Sequence, residues 1–268
     1  MARIAIEKYL QKFLREGNVL RAFRSNVYRQ EMSTQASTII RQEETNDETK
    51  FTINPLKHPD FFQVHNIFTV KDLFDAMVHY GHKEGTLHNN MRPFIFGSRL
   101  GHLIIDLNQT AELLRQALNF AAHIAFQGGL ILFISKNPAS TYIVEKTAKE
   151  CQEYAHTRNW KTGTFTNSVR MFKLETRLPD LCIFIHTLDN VVAPHPAIIQ
   201  AAKMCIPTIG IVDTNCNPNL ITYPIPGNDD TPSAIELYCK LLSAAILRGK
   251  NARKTILQKS SNSKESIE

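Results

Sequence analysis

The stretch Leu130-Ile131-Leu132-Phe133-Ile134-Ser135-Lys136-Asn137-Pro138 decides the fold of this 268-residue chain. Its five consecutive apolar residues are too few for a helix of their own and read as a strand buried on both faces. Asn137 then offers a side-chain acceptor to the free N–H groups of a helix start. Pro138 suits the first turn, where its missing N–H is no loss. The helix that follows is expected to run to about Tyr154. The same grammar repeats downstream. Leu181–Ile185 reads as a buried strand, His195-Pro196 opens a helix to about Met204, and Pro207–Val212 is the next strand. An Ile221–Ile225 segment leads through Gly227 to a last helix over roughly Ser233–Leu247. Short apolar strands alternating with amphipathic helices predict an α/β domain, a doubly wound parallel sheet, over about 67–249.

Working upstream, Leu103–Leu107 is a short apolar segment, and a long helix over 109–127 stops at Gly128-Gly129. Thr69 with Asp72 is an acidic relative of a capping box. Val70, Leu73, Phe74, Met77 and Val78 repeat at three and four, which predicts a helix ended by Gly81.

Hydrophobic residues make up 43% of the chain, which excludes a wholly disordered polypeptide. No apolar run approaches about 18 residues, so no membrane-spanning helix is expected. The five cysteines form no Cys-x-x-Cys pair and read as small buried residues in a reducing compartment. The net charge of +6 is unevenly spread. Residues 1–30 hold seven basic and two acidic side chains, 31–50 two basic and five acidic, and 248–268 six basic and two acidic; the 197 residues between are formally neutral. The Arg-rich leader over 1–30 reads as a mitochondrial transit peptide, against which Glu7 and Glu16 stand. Residues 31–66 read as an extension or linker, and 250–268 as a basic polar tail.

Neither G-x-G-x-x-G nor a Walker-type glycine loop is present. His79-x-x-His82, with His102 and Asp106 beyond, can be drawn as a metal site, but a packed, hydrogen-bonded histidine cluster is the preferred reading. Asp213-Thr214-Asn215 after a strand, and Asp229-Asp230 in a later turn, suggest a hydrolase only superficially. No nucleophile or general-base histidine is arranged with them in a motif, and short polar residues at strand ends commonly fix turns. No catalytic residue, metal or cofactor is therefore expected. More informative is the segment 158–177, where Arg158, Lys161, Arg170, Lys173 and Arg177 face a single Glu175. Trp160, Phe165 and Phe172 are interleaved with them, beside Asn159 and Asn167. Cations hold phosphates, aromatic faces stack on bases and amides bond sugars or base edges. The alternative is a solvated loop whose aromatics pack inward.

Several blocks share one resemblance. Val78-His79-Tyr80-Gly81-His82, then Met91-Arg92-Pro93-Phe94-Ile95-Phe96-Gly97-Ser98-Arg99 and His102 through Thr110, resemble the opening signature of the small-subunit ribosomal protein two family, the bacterial S-two family. Trp160, Gly163 and Thr166-Asn167 resemble its W-x-G-G-x-x-T-N segment. Ile206-Pro207 through Pro218, with Ile225 through Asp230, resembles its second signature. The resemblance implies a non-enzymatic constituent of the small ribosomal subunit with a flavodoxin-like, three-layer α/β/α fold. It implies contacts with rRNA and neighbouring ribosomal proteins near the junction of head and body, with no membrane and no small-molecule substrate.

Two departures from the bacterial pattern stand out. Only Ser168–Pro179 separates Thr166-Asn167 from the next strand, too short for the long coiled-coil hairpin of bacterial members. With the leader, this looks like the animal mitochondrial branch. Leu87, Asn89 and Thr162 replace residues usual in bacteria, so local RNA contacts are not assumed intact. On this reading rRNA is met by Arg92, Arg99, Lys136, Arg158, Trp160, Lys161, Asn167 and Arg170. The competing readings are a flavodoxin-like enzyme using Asp213 with Asp229 or Asp230 on a phosphorylated small molecule, and a free RNA-binding regulatory factor.

Overall fold

In the computed structural model, the described residues are 55–190 and 193–265, with side chains to 258. The leader over 1–30 and the extension up to residue 54 lie outside them, as do the last three residues.

Five parallel strands form the central sheet: β4 (Ile131–Ile134), β5 (Tyr154–His156), β6 (Leu181–Phe184), β7 (Thr208–Val212) and β8 (Tyr223–Pro226). Their spatial order is β5-β4-β6-β7-β8. This is the 2-1-3-4-5 winding of flavodoxin-like folds, with the direction of travel reversing between β4 and β6. Ile131 and Phe133, Leu181 and Ile183, and Ile209 and Ile211 point to one face. Ile134, Cys182, Phe184 and Val212 point to the other. Two-faced burial explains why these strands read as unbroken apolar runs rather than alternating ones.

The first face is covered by α2 (Leu107–Gln127), α3 (Pro138–Cys151) and α6 (Pro232–Glu265). The second is covered by α5 (Pro196–Lys203), together with Met91 and Phe165 from loops. The expected caps are present: Asn137 accepts from the Ala139 N–H at 3.1 Å and His195 from the Ala197 N–H at 3.2 Å.

Ahead of the sheet, α1 (Val70–Asp75) carries the Thr69–Asp72 capping box. The helix is shorter than its spacing predicts. Met77 turns left-handed at φ 62°, and the Val78 N–H reaches back to the Leu73 carbonyl, closing the end. The chain then extends as β1 (Tyr80–Lys83), which joins β2 (Ile95–Arg99) and β3 (His102–Ile105) in an antiparallel sheet ordered β1-β3-β2. Helix α3 likewise ends early, where Gln152 turns left-handed at φ 55°, and the freed residues form β5.

Both outer boundaries differ from expectation. Phe62 and Val64 are buried in the main core, so packing begins inside the expected linker. Helix α6 continues far past Leu247 because it lies against α2. A Cβ on Gly249 would sit 2.3 Å from the Ala122 carbonyl oxygen, so only glycine permits that approach. Lys250 then reaches Glu153, and the Arg253 guanidinium fills the space beside Gly128 at the end of α2.

Candidate nucleic-acid interface

Strand β5 leaves the sheet into a long excursion, residues 157–180, that contains only the five-residue helix α4 (Ser168–Phe172). No coiled-coil hairpin occurs there. The excursion is pinned at Phe165, whose ring is buried and whose N–H donates to Gln200 Oε1 on α5 at 3.1 Å. Gly163, at φ 93°, makes the turn in which its carbonyl accepts from the Asn167 N–H at 2.8 Å.

From this anchored loop Arg158, Lys161, Asn167 and Arg170 project into solvent. Exposed apolar side chains stand among them: Val169, Phe172 and Leu174. Arg177 is held by Asp180 at 2.7 Å. Arg92 and Arg99 are exposed on a different element, the segment leading into β2 and the end of that strand. That segment is itself tied to the second core, where Met91 is buried and against which Phe94 packs.

Two of the expected contacts are placed differently. Lys136, at the carboxyl end of β4, pairs with Asp189 at 2.7 Å, so its charge is already met. Trp160 is half-buried and stands edge-on to His156, Phe165 and His195 at 4.8, 4.8 and 5.9 Å between ring centroids. Its ring is a wedge in the second core rather than an open stacking platform. Burial pushes His195 down to about 4, against opposing help from Asp189, so its imidazole is neutral. The inward-packing alternative covers Trp160, whereas the pairing of Lys136 was not foreseen because its partner lies 53 residues away.

The acidic strand ends converge in a way the separate motifs did not reveal. Asp213 follows β7, Asp229 and Asp230 follow β8, and His82 on β1 lies between them. His82 Nδ1 is 3.1 Å from Asp213 Oδ2, and Nε2 is 3.4 Å from Asp230 Oδ2. The Asp213 contact pushes the His82 imidazole up to about 9. Burial, with Asp213 and Asp230 nearby, drives the Asp229 carboxyl well above its ordinary range. The adjacency of β7 and β8 at their carboxyl ends was the available signal.

The histidine site drawn from His79-x-x-His82, His102 and Asp106 does not assemble. His79 stacks on Phe74 at 4.5 Å, and Asp106 caps α2. Beside Asp229-Asp230 the turn is fixed by Asn228, whose Oδ1 accepts from the Asp230 and Thr231 N–H groups.

The family described as Ribosomal protein S2 matches residues 73–181 and 168–249 of this chain. Small ribosomal subunit protein uS2m of Bos taurus is 56% identical over 202 residues, covering 75% of this chain and 69% of its own length. Small ribosomal subunit protein uS2 of Phenylobacterium zucineum is 35% identical over 224 residues, covering 68% of this chain and 75% of its own. The protein of the same description from Caulobacter vibrioides is 34% identical over 224 residues, covering 68% and 82%. The bacterial alignments are longer than the part of this chain they cover, and the two family segments overlap at 168–181, from α4 to the first residue of β6.

Proposed function

This chain belongs to the ribosomal protein S2 family, and from that premise we propose that it is a structural, non-enzymatic constituent of the mitochondrial small ribosomal subunit, supporting translation in the matrix. The observation that carries this reading is the 56% identity to the bovine protein over 75% of this chain. The Arg-rich leader supports the compartment.

Within that role the protein binds rRNA and neighbouring ribosomal proteins near the head–body junction. Exposed Arg92, Arg99, Arg158, Lys161 and Arg170 contact phosphates, and Asn167 contacts sugar or base edges. Trp160, packed on Phe165, holds the loop that presents Arg158, Lys161 and Arg170, and Lys136 is taken up by Asp189. The exposed apolar residues of α4 meet protein rather than RNA.

Sedimentation of mitochondrial lysate tests the role. Co-migration with the small subunit through moderate salt is expected. Recovery only in the light fractions overturns it. The N-terminal sequence of the mature protein tests the leader separately, and a chain beginning at or beside Met1 removes that part.

A further inference from the structure

Between its two anchors the excursion after β5 presents an unbroken exposed run, Val169 through Arg177. Phe165 fixes one end through Gln200, and Leu178 packs against the second core at the other. Four side chains of this run are large and apolar: Val169 is 57% exposed, Met171 38%, Phe172 52% and Leu174 71%. Single apolar residues on a surface need no explanation, but a cluster held out on an anchored loop does. Helix α4 sharpens the point. Against the described residues it buries none of its five side chains, and Asn167 at its start makes no side-chain cap. Lys173 closes it in a left-handed turn at φ 60°. Five residues are far too few for a helix that stands alone in water. A turn with neither a side-chain cap nor a buried face calls for a covering surface.

The chemistry of the run selects what covers it. At about 100° per residue, Met171, Phe172 and Val169 span about 160° of α4, and Arg170 turns to the opposite side. An apolar contact on one side and a phosphate contact by Arg170 on the other are therefore compatible. Three of the four apolar side chains have no ring to stack on a base, so the cluster suits protein rather than RNA. Charge then narrows the kind of protein. Arg158, Lys161, Arg170 and Lys173 are exposed in the same excursion, Arg177 is taken up by Asp180, and Glu175 is the only carboxylate between 157 and 177. That field attracts an acidic surface and repels a basic one.

We propose that Val169, Met171, Phe172 and Leu174 dock an acidic, amphipathic segment of a neighbouring protein in the small subunit, with Lys173 paired to its carboxylates. The inference rests on the ribosomal reading above and deepens it by giving the partner's chemistry. Phe172 and Met171 supply the buried anchors, and Lys173 at the rim favours the acidic partner over basic competitors.

Photocrosslinking in assembled subunits tests the surface. The full chain, with p-benzoyl-phenylalanine in place of Phe172, is incorporated into small subunits in cells, and the isolated subunits are irradiated. The expected product is a protein adduct that survives ribonuclease and is joined within an apolar, net acidic peptide. An adduct to RNA, an adduct to a net basic peptide, or no adduct overturns the proposal. Lys173→Glu, and Val169→Ser combined with Phe172→Ser, then separate charge from apolar contact. All three side chains are exposed, so the fold is kept, which circular dichroism checks. In salt-washed subunits each variant should lower the amount of the crosslinked partner per copy of this chain at least fivefold. A ratio within twofold of wild type in either variant, or a rise with Lys173→Glu, overturns it. Every ratio is taken in subunits that contain this chain. A chain missing from the subunit fraction sinks the ribosomal reading, whereas a chain present there without an acidic partner on α4 sinks the docking surface alone.

Discussion

At the scale of single residues, close approach is the feature most sensitive to substitution. A Cβ on Gly81 would lie 2.5 Å from Thr214 Cγ2 and 3.1 Å from the Leu103 carbonyl oxygen. Thr214 is fully buried and β-branched, so it has no free rotamer into which to retreat. Gly81→Ala must therefore move β1 away from the loop after β7. We expect a loss of about 1–3 kcal/mol, read from the urea midpoint at unchanged slope. An unchanged midpoint would show that the two sheets are not held at this contact.

His195 gives the pH-dependent counterpart. Its Nδ1 caps α5, and its buried Nε2 has no partner, with Asp189, Lys136 and His156 as the charged or titratable groups around it. Its ordinary value near 6.5 falls to about 4 in the fold. The unfolded chain therefore takes up the proton first. Stability is intact above about pH 6.5, and the deficit grows as pH falls until it saturates near 4. The total is at most about 3 kcal/mol. His195→Asn keeps a capping acceptor and removes the titration. The stability difference between wild type and variant should shrink or reverse across that window, as measured by urea unfolding at stepped pH. A constant difference would exclude the assignment.

At the scale of elements, legibility followed length and two-sided burial. Strands β4, β6 and β7 were readable because burial on both faces leaves no polar interruption. Strand β5 was not, because three residues carry no period and α3 was expected to absorb them. Strand β1 was hidden for a related reason: Val78 continues the helical spacing of Leu73 and Phe74, yet it is buried from the turn that ends α1. The long α6 was cut short in the reading because its second half is polar, and its anchors are ionic rather than apolar.

One of those anchors can be measured. Lys250 Nζ lies 2.5 Å from Glu153 Oε1 and donates to the Cys151 and Gln152 carbonyls at the end of α3. Glu153 Oε2 accepts from the Ile131 N–H at the start of β4. Lys250→Met strands a nearly buried carboxylate and leaves two helix-end carbonyls unmet, and should cost about 3–5 kcal/mol. Pairing it with Glu153→Gln should recover part of that loss, giving a coupling near 1–3 kcal/mol in a double-mutant cycle. Additive losses would show that the two side chains do not act together.

At the scale of the molecule, charge is the quantity whose meaning changed most. The sequence spread its excess positive charge over both ends and left the body neutral. Along the described part of the C-terminal stretch, however, three of the four cations have structural tasks. Arg248 donates to the Phe62 and Gln63 carbonyls, Lys250 pairs with Glu153, and Arg253 packs on Gly128. They hold the body together rather than standing free for polyanions. The fold was legible because its signals are local strand and helix patterns. The interface was only half legible, since composition cannot separate an exposed cation such as Arg158 from one already paired, such as Lys136. The two classes should separate by salt. Each phosphate contact contributes roughly 0.7–0.9 to the slope of log affinity against log salt. Replacing Arg158, Lys161 and Arg170 together by glutamine should lower that slope by about 2–3, so the variant leaves the small subunit at lower KCl in a graded wash. Lys136→Met removes one formal charge as well, but its loss falls on the Asp189 pairing. It should lower the melting temperature and leave the wash profile where it was. If Lys136→Met is released as early as the triple variant, then paired and exposed cations contribute alike, and the division of labour between loop anchors and phosphate contacts is wrong.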